Sequence, residues 1–405
     1  VQQPTTADRS PSVVADGDAA FRAARIGLVT LSLASFGALT TEMLPVGLLP
    51  QIAASLGIAE EHAGLLVGVY ALMVAVLAVP LTILTRRLPR KPLLLATLIG
   101  YAVSNVLAAT ASGFAVLALA RGLGGIAHAL FFSISIGYAA RLAPPSHTGK
   151  AMALMSVGGS AGFVLGVPLG TVIGTAWGWR ASFAILTVGV LAIAAVAWRG
   201  LPGGGAPPVG QRRVRRDPRP LIVVILACGL AFLGHYTAYT YIASLLHSAG
   251  LRQDWVGPVL LVFGVVGLIG LRIGAQHLDR RPLGSARLIP ALLAAGLLIV
   301  AVSYPELVPV LIGVTLWTGS FGSIPSLFQS LAVRAGVASA DVAGAWINSA
   351  ANVGIAGGAV VGGFVLAHAG IGWLPVVAAT LLLTVGLLAL AAPAAFRGNG
   401  DAAAH

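Results

Sequence analysis

Apolar stretches of about twenty residues recur twelve times along this chain, and almost none of them carries a charge in its middle. A run of that length, coiled as an α-helix, crosses the ~30 Å hydrocarbon core of a bilayer. The blocks at 93–111 and 374–392 are two examples. Of the 405 residues, 58% are hydrophobic and 9% are charged. A soluble domain carries about a quarter charged residues, so the surface of this protein is solvated by lipid. No ten-residue alternation of apolar and polar positions is present, which selects helices over a membrane β-barrel. The 52 glycines, a burden in soluble helices, let membrane helices approach closely. The predicted fold class is therefore all-α integral membrane, with twelve transmembrane helices.

The predicted spans are 26–50, 61–85, 91–111, 114–141, 148–175, 180–201, 220–247, 254–274, 286–304, 306–334, 341–369 and 373–395. Charge then sets the orientation, because Lys and Arg collect on the inner side of a membrane. With both termini inside, 21 of the 24 basic residues fall in inner loops or at inner span ends. Arg180 and Arg252 fall outside, and Arg121 alone lies well within a span. The net charge of +12 is thus topological and calls for no nucleic acid. Trp177, Trp179, Trp255 and Trp373 fall at predicted outer ends, as an aromatic belt would.

Residues 1–25 are polar and lack the features of a signal peptide, so they read as a cytoplasmic tail, as does 397–405. The segment 202–219, PGGGAPPVGQRRVRRDPR, reads as a cytoplasmic linker between halves at 26–201 and 220–396. The single cysteine, Cys228, sits in an apolar run and offers neither a disulfide framework nor a metal cluster.

The halves carry a repeat. Gly162, Gly166 and Gly170 recur as Gly354, Gly358 and Gly362, and Trp179 recurs as Trp373 two residues beyond the same offset. The basic turn at 86–91 has its counterpart near 279–281. Two six-helix bundles related by pseudo-two-fold symmetry, with a site between them near the midplane, is an alternating-access design.

Of the twelve acidic residues, only Glu42 lies well inside a span. A charged carboxylate in lipid costs several kcal/mol, so such a group faces a cavity, pairs with a cation, or titrates. Proton coupling is the functional reading; hydrogen bonds from Thr40, Thr41 or a neighbouring helix are the structural one. Arg121 lies at a similar depth and either pairs with Glu42, bonds backbone carbonyls or snorkels outward. His128, seven residues deeper on nearly the same helix face, is a proton relay or a neutral imidazole in a polar contact.

The run His235-Tyr236-Thr237-Ala238-Tyr239-Thr240-Tyr241 is the most polar-aromatic stretch in any predicted helix. Hydroxyls and aromatic faces suit sugars or drug-like solutes. Thr41, His235, Tyr236, Tyr239, Thr240 and Trp317 are the candidate substrate residues, and a packed helix interface is the alternative. Gln329, Asn105, Asn348 and Asn352 are weaker candidates, the asparagines reading as glue between helices. Gly162, Gly166, Pro168 and Gly170 form a packing and bending device.

Five strings carry a resemblance: TTEMLPVGLLPQIA (40–53), AGLLVGVYAL (63–72), ARGLGGIAHALFFS (120–133), LGVPLGTVIGTAWGWRASF (165–183) and GHYTAYTYI (234–242). They resemble the major facilitator superfamily, within it the twelve-helix drug:proton antiporters, and among these the bacterial sugar-efflux transporters. The resemblance implies proton-coupled efflux by alternating access across the bacterial inner membrane. It implies proton coupling at Arg121 and Gly125, exchange at Gly162–Gly170, an acidic site at Glu42 and a sugar-efflux seventh helix at 235–241. One departure is the turn Thr85-Arg86-Arg87-Leu88-Pro89-Arg90-Lys91, where an arginine replaces the family's Asp and Pro89 its glycine. The gating role expected of Arg87 and Arg90 then draws its acid from Asp279 or Asp341.

The expected partners are protons, a small sugar-like or drug-like molecule and the lipid bilayer, with the chain acting as a monomer and without nucleic acid, cofactor or metal. Facilitated or proton-symport uptake by the same fold is the alternative. No Ser–His–acid set or metal-ligand spacing points to an enzyme, and no G-x-x-x-x-G-K-[ST] points to ATP.

Overall fold

A computed structural model of the chain describes residues 11–85, 87–143, 147–202, 217–338 and 340–396. Among them, twelve helical segments are long and apolar enough to cross a membrane. They are α1 (Pro11–Leu56), α2 (Glu60–Thr85), α3 (Arg90–Ala109), α4 (Phe114–Leu142), α5 (148–177) and α6 (Trp179–Gly200). The second set is α7 (Arg219–Tyr239), α8 (Gln253–Arg280), α9 (Pro282–Ser303), α10 (307–334), α11 (Ala340–Ala369) and α12 (Leu374–Ala391). Most of the linker, 203–216, residues 1–10 of the expected 1–25 tail and the tail 397–405 lie outside the described residues, while 11–25 of the expected tail are helical and belong to α1.

Three helices are not continuous α-helix. α5 runs as Thr148–Ala161, a π-helical turn Gly162–Gly166, and Val167–Trp177. Pro168 has no N–H for the Val164 carbonyl, and the chain widens in the turn just before it. The Gly162–Gly170 segment, expected to pack and bend, thus carries a π-helical turn. α10 breaks at Gly322–Ser323 between Leu307–Phe321 and Ile324–Arg334. α7 ends at Tyr239 and resumes as a short helix Ile242–Ser248, a break that hydropathy alone does not mark within 220–247.

The two halves repeat the same pairings. α1 packs on α5 and α6, α2 on α4, and α3 on α4 and α6. In the second half α7 packs on α11 and α12, α8 on α10, and α9 on α10 and α12. Each pair is the first-half pair advanced by six helices, which is the internal repeat in three dimensions. Gly178 and Gly370 occupy matching turns with φ of 85° and 88°, a left-handed conformation that glycine adopts without a Cβ clash.

Close packing explains the glycine spacing. A Cβ on Gly158, Gly162, Gly166, Gly170 or Gly174 would run into Ser32, Phe36, Thr40, Leu44 or Leu48 in turn, a ladder of four-residue steps along α1 and α5. On α11, Gly354, Gly358 and Gly362 meet α7 the same way, against Gly229, Leu233 and Thr237. With no water to expel between helices in lipid, such backbone approach is a main source of attraction.

The halves meet through α2 with α11 and α5 with α8. These contacts run from Gly64, Tyr241 and Gly363 to the Ser349–Ala75 hydrogen bond (2.9 Å), and from Gly257 on Val172 to Gly264 on Val164. They concentrate toward the end bearing Trp177, Trp255 and Trp373, which are 71%, 56% and 56% exposed. Trp179 departs from the aromatic-belt expectation. It is buried, its indole donates to Ser55 Oγ at 2.8 Å, and the Arg180 guanidinium covers its ring.

Gly354→Ala places a methyl group against the Gly229 backbone. It is expected to lower stability by about 1–3 kcal/mol, the usual cost of overpacking. Gly189→Ala, whose Cβ meets nothing within 4 Å, is expected to leave stability unchanged. Thermal unfolding of the detergent-solubilised variants measures the difference.

Candidate functional site

Glu42 lies on α1, three residues before Pro45, and is buried at 4% exposure. Pro45 lacks an N–H, so the Thr41 carbonyl loses its helical partner. Arg121 on α4 supplies the replacement. Its Nη1 donates to the Thr41 carbonyl and its Nη2 to the Glu42 carbonyl, both at 2.5 Å, while Nε donates to the Leu66 carbonyl at 3.2 Å. The guanidinium lies over the Tyr70 ring, 4.2 Å from its centroid. Gly124 and Gly125 let α4 come this close, since a Cβ at either would strike Tyr70. Arg121 thus meets Glu42 through the main chain. The expected alternatives of a carboxylate pair and of outward snorkelling are not the arrangement found.

The Glu42 carboxylate faces His128 instead, with Oε2 3.6 Å from Nε2. That distance is long for a hydrogen bond and within reach of an ion pair when the imidazole is protonated. On the other edge of the ring, His128 Nδ1 is 3.0 Å from the Tyr70 hydroxyl. With the Tyr70 O–H donating to Nδ1, the imidazole proton sits on Nε2 and faces the carboxylate. Phe132 stacks on the imidazole at 4.6 Å. Neither nearby threonine serves Glu42: Thr40 donates to the Phe36 carbonyl, and Thr41 Oγ1 accepts from Asn105 at 3.1 Å.

A second cluster surrounds His235 on α7. Trp317 Nε1 donates to His235 Nδ1 at 3.0 Å. Phe321 stacks on the imidazole at 3.4 Å between centroids and 9° between planes, and Tyr239 stacks at 4.7 Å on the same ring. Tyr236 meets it edge-on at 5.0 Å, and its hydroxyl reaches Met43 Sδ across the halves at 3.4 Å. Met43 neighbours Glu42, so Tyr236 links the two clusters.

The hydroxyls of the 235–241 run mostly turn inward. Thr237 donates to the Leu233 carbonyl, Thr240 to the Tyr236 carbonyl and Tyr241 to the Ala359 carbonyl. Among the expected substrate residues, then, Thr41 and Thr240 have their hydroxyls engaged within the protein. Asn105 ties α3 to α1, as expected of interhelical glue, whereas Asn352 bonds to Asn348 of its own helix. Gln329 lies against Gly344.

At the arginine-bearing end, Arg87 is exposed in the turn between α2 and α3, and Arg90 is buried with Nη1 donating to the Thr85 carbonyl at 3.3 Å. Arg86 and the side chains of Asp279 and Asp341 lie outside the described residues. A groove of about 550 Å³ lies between α2, α7 and α11, lined by apolar residues such as Val76, Leu230 and Trp346. None of the candidate residues lines it.

Residues 31–343 match the Major Facilitator Superfamily. The chain belongs to this family. It is 34% identical over 350 residues to a chloramphenicol efflux pump of Mycobacterium tuberculosis, spanning 83% of this chain and 84% of that protein. It is 30% identical over 365 residues to a probable sugar efflux transporter of Pasteurella multocida, spanning 89% and 90%. Among solved structures, a bacterial homolog of the human lysosomal transporter Spinster superposes with a TM-score of 0.73 at 15% identity, over 92% of this chain and 98% of that one. A D-xylose–proton symporter superposes with 0.71 at 17% identity, over 90% and 96%. This facilitator is a multi-pass membrane transporter with efflux pumps among its relatives.

Four residues of the facilitator's two clusters do not stand out in the sequence. Phe321 follows Trp317 by one helical turn, so the pair shares a helix face, and that spacing is the available signal. Tyr70, Phe132 and Met43 are marked only by their place in the strings that carry the family resemblance, because an aromatic or a methionine in an apolar helix otherwise reads as packing.

Arg121→Gln is expected to leave the Thr41 carbonyl, which has no helical donor, unpaired and to cost about 1–3 kcal/mol. Adding Pro45→Ala restores an N–H for the Thr41 carbonyl and is expected to recover part of the loss. Thermal unfolding of the single and double variants tests this coupling.

Proposed function

We propose that this facilitator exports small organic molecules from the cytoplasm by proton antiport, acting as a monomer in a bacterial inner membrane. The observation that carries the reading is the buried Glu42 carboxylate set against His128 at the level where α1 meets α7. An ionisable pair in lipid marks a proton path by default. Arg121 is a positioning group in this scheme. By binding the Thr41 and Glu42 carbonyls it holds the carboxylate's segment of α1 against α4, so a change at Glu42 is felt in two helices.

With the arginine-rich loops inside, the halves are closed toward the outer face, and the protein is in the state that loads from the cytoplasm. A proton arriving from the outer side in the alternate state neutralises Glu42 and releases substrate there; its loss to the cytoplasm resets the site. The π-helical turn of α5, seated on α1 beside Thr40, is the bend through which the two helices shift together. His235, Tyr236, Tyr239 and Trp317 form the substrate surface. The efflux relatives support the outward direction.

Inverted membrane vesicles with a respiration-driven pH gradient, read by a pH-sensitive dye, test the proposal. A transported compound is expected to discharge the gradient only when the protein is present. Glu42→Gln is expected to abolish that discharge while still binding the compound. Full concentrative transport by Glu42→Gln would remove the carboxylate from the mechanism.

A further inference from the structure

Resting on the reading of the His235 cluster as the substrate surface, we propose that the cluster selects uncharged molecules with a flat aromatic face and a hydrogen-bond acceptor, and rejects sugars. A sugar presents a hydroxyl on nearly every carbon, and each one buried without a partner costs affinity. Along the 235–241 run Thr237, Thr240 and Tyr241 are fully buried with their hydroxyls donated to carbonyls, and Tyr236 points to Met43. On α10, Thr315, Thr318 and Ser320 likewise donate to carbonyls of their own helix. Among the described residues, the Tyr239 hydroxyl and one edge of His235 are the polar groups of the cluster without a protein partner.

The chemistry of that edge is set by Trp317. An indole N–H donates and does not accept, so His235 Nδ1 is the lone-pair nitrogen. The imidazole is therefore neutral with its proton on Nε2, and the edge it offers is a donor. A ligand that completes it carries an acceptor such as a carbonyl, nitro or ether oxygen. The rest of the cluster is ring: Tyr236, Tyr239, Trp317 and Phe321 all lie within 6.2 Å of a neighbour, and since Tyr236 and Trp317 are buried, the half-buried Tyr239 and Phe321 supply the open faces. Such faces stack on aromatic ligands. No carboxylate lies within ion-pair distance of His235 among the described residues, and the Glu42 carboxylate faces His128, so a cation gains no direct ion pair at His235.

The test is equilibrium binding to the purified full-length protein by calorimetry, with chloramphenicol, xylose, isopropyl thiogalactoside and ethidium as probes. Chloramphenicol is expected to bind at least about tenfold more tightly than the two sugars or ethidium, tenfold being the scale of one well-placed hydrogen bond. His235→Gln, whose amide N–H stands where Nε2–H was, is expected to retain binding within about threefold, and His235→Leu to lose about tenfold. Trp317→Phe keeps an aromatic ring but frees Nδ1, and is expected to weaken chloramphenicol and to lower thermal stability, since the indole is fully buried. Tighter binding of xylose or isopropyl thiogalactoside, or equal loss in the Gln and Leu variants with folding intact, overturns the proposal. Absence of chloramphenicol binding at millimolar concentration overturns it as well. Binding that follows His235 but fails to discharge a pH gradient supports the substrate class and defeats the proton-antiport reading instead.

Discussion

A backbone carbonyl without a partner is tolerable in water and costly in hydrocarbon, and this molecule is organised around that asymmetry. Pro45 breaks the hydrogen-bond ladder of α1 at Thr41, and the freed carbonyl is met by a buried arginine from another helix. The repair is also the assembly. Because the guanidinium serves Thr41, Glu42 and Leu66 together, α1, α2 and α4 are held in one geometry, with Tyr70 beneath the charge. The acidic side chain next to that break is thereby aimed at His128, and the same proline that weakens α1 creates the rigid setting of its carboxylate.

The glycine ladders solve a second problem of the same solvent. Lipid gives apolar helices no hydrophobic reason to associate, so contact depends on how closely backbones approach. α5 meets α1 and α11 meets α7 along small residues at four-residue spacing, and these two interfaces are images of each other under the repeat. In α5 the ladder runs through a π-helical turn just before Pro168, so an interface of close backbone approach also contains an irregular turn. Packing and bending are properties of one segment.

The two clusters show how the membrane reshapes polar side chains. Thr237, Thr240, Thr315, Thr318 and Ser320 donate back to the carbonyl four residues earlier, since no water competes for them. That habit turns a run that reads as rich in hydroxyls into a surface made mainly of aromatic rings. Tyr236 remains the link between the halves, from the His235 cluster to the methionine beside Glu42.

Much of the architecture is legible in the amino-acid sequence. Bilayer thickness and the cost of buried charge dictate twelve long apolar helices, and the recurrence of Gly162, Gly166 and Gly170 at a single offset declares the duplication. The isolation of Glu42, Arg121 and His128 within spans marks them for the same energetic reason. The partners of each group are not legible there, because hydropathy carries no direction around a helix axis and no register between helices. Tertiary structure alone decided that Arg121 binds main-chain carbonyls and that Glu42 faces His128. It also decided that Trp179 is buried, that α7 breaks after Tyr239 and that Phe321 closes on His235. The reason is physical: the membrane prescribes length and polarity along each helix, while the pairing of buried polar atoms depends on rotations and close approaches that only the packed bundle defines.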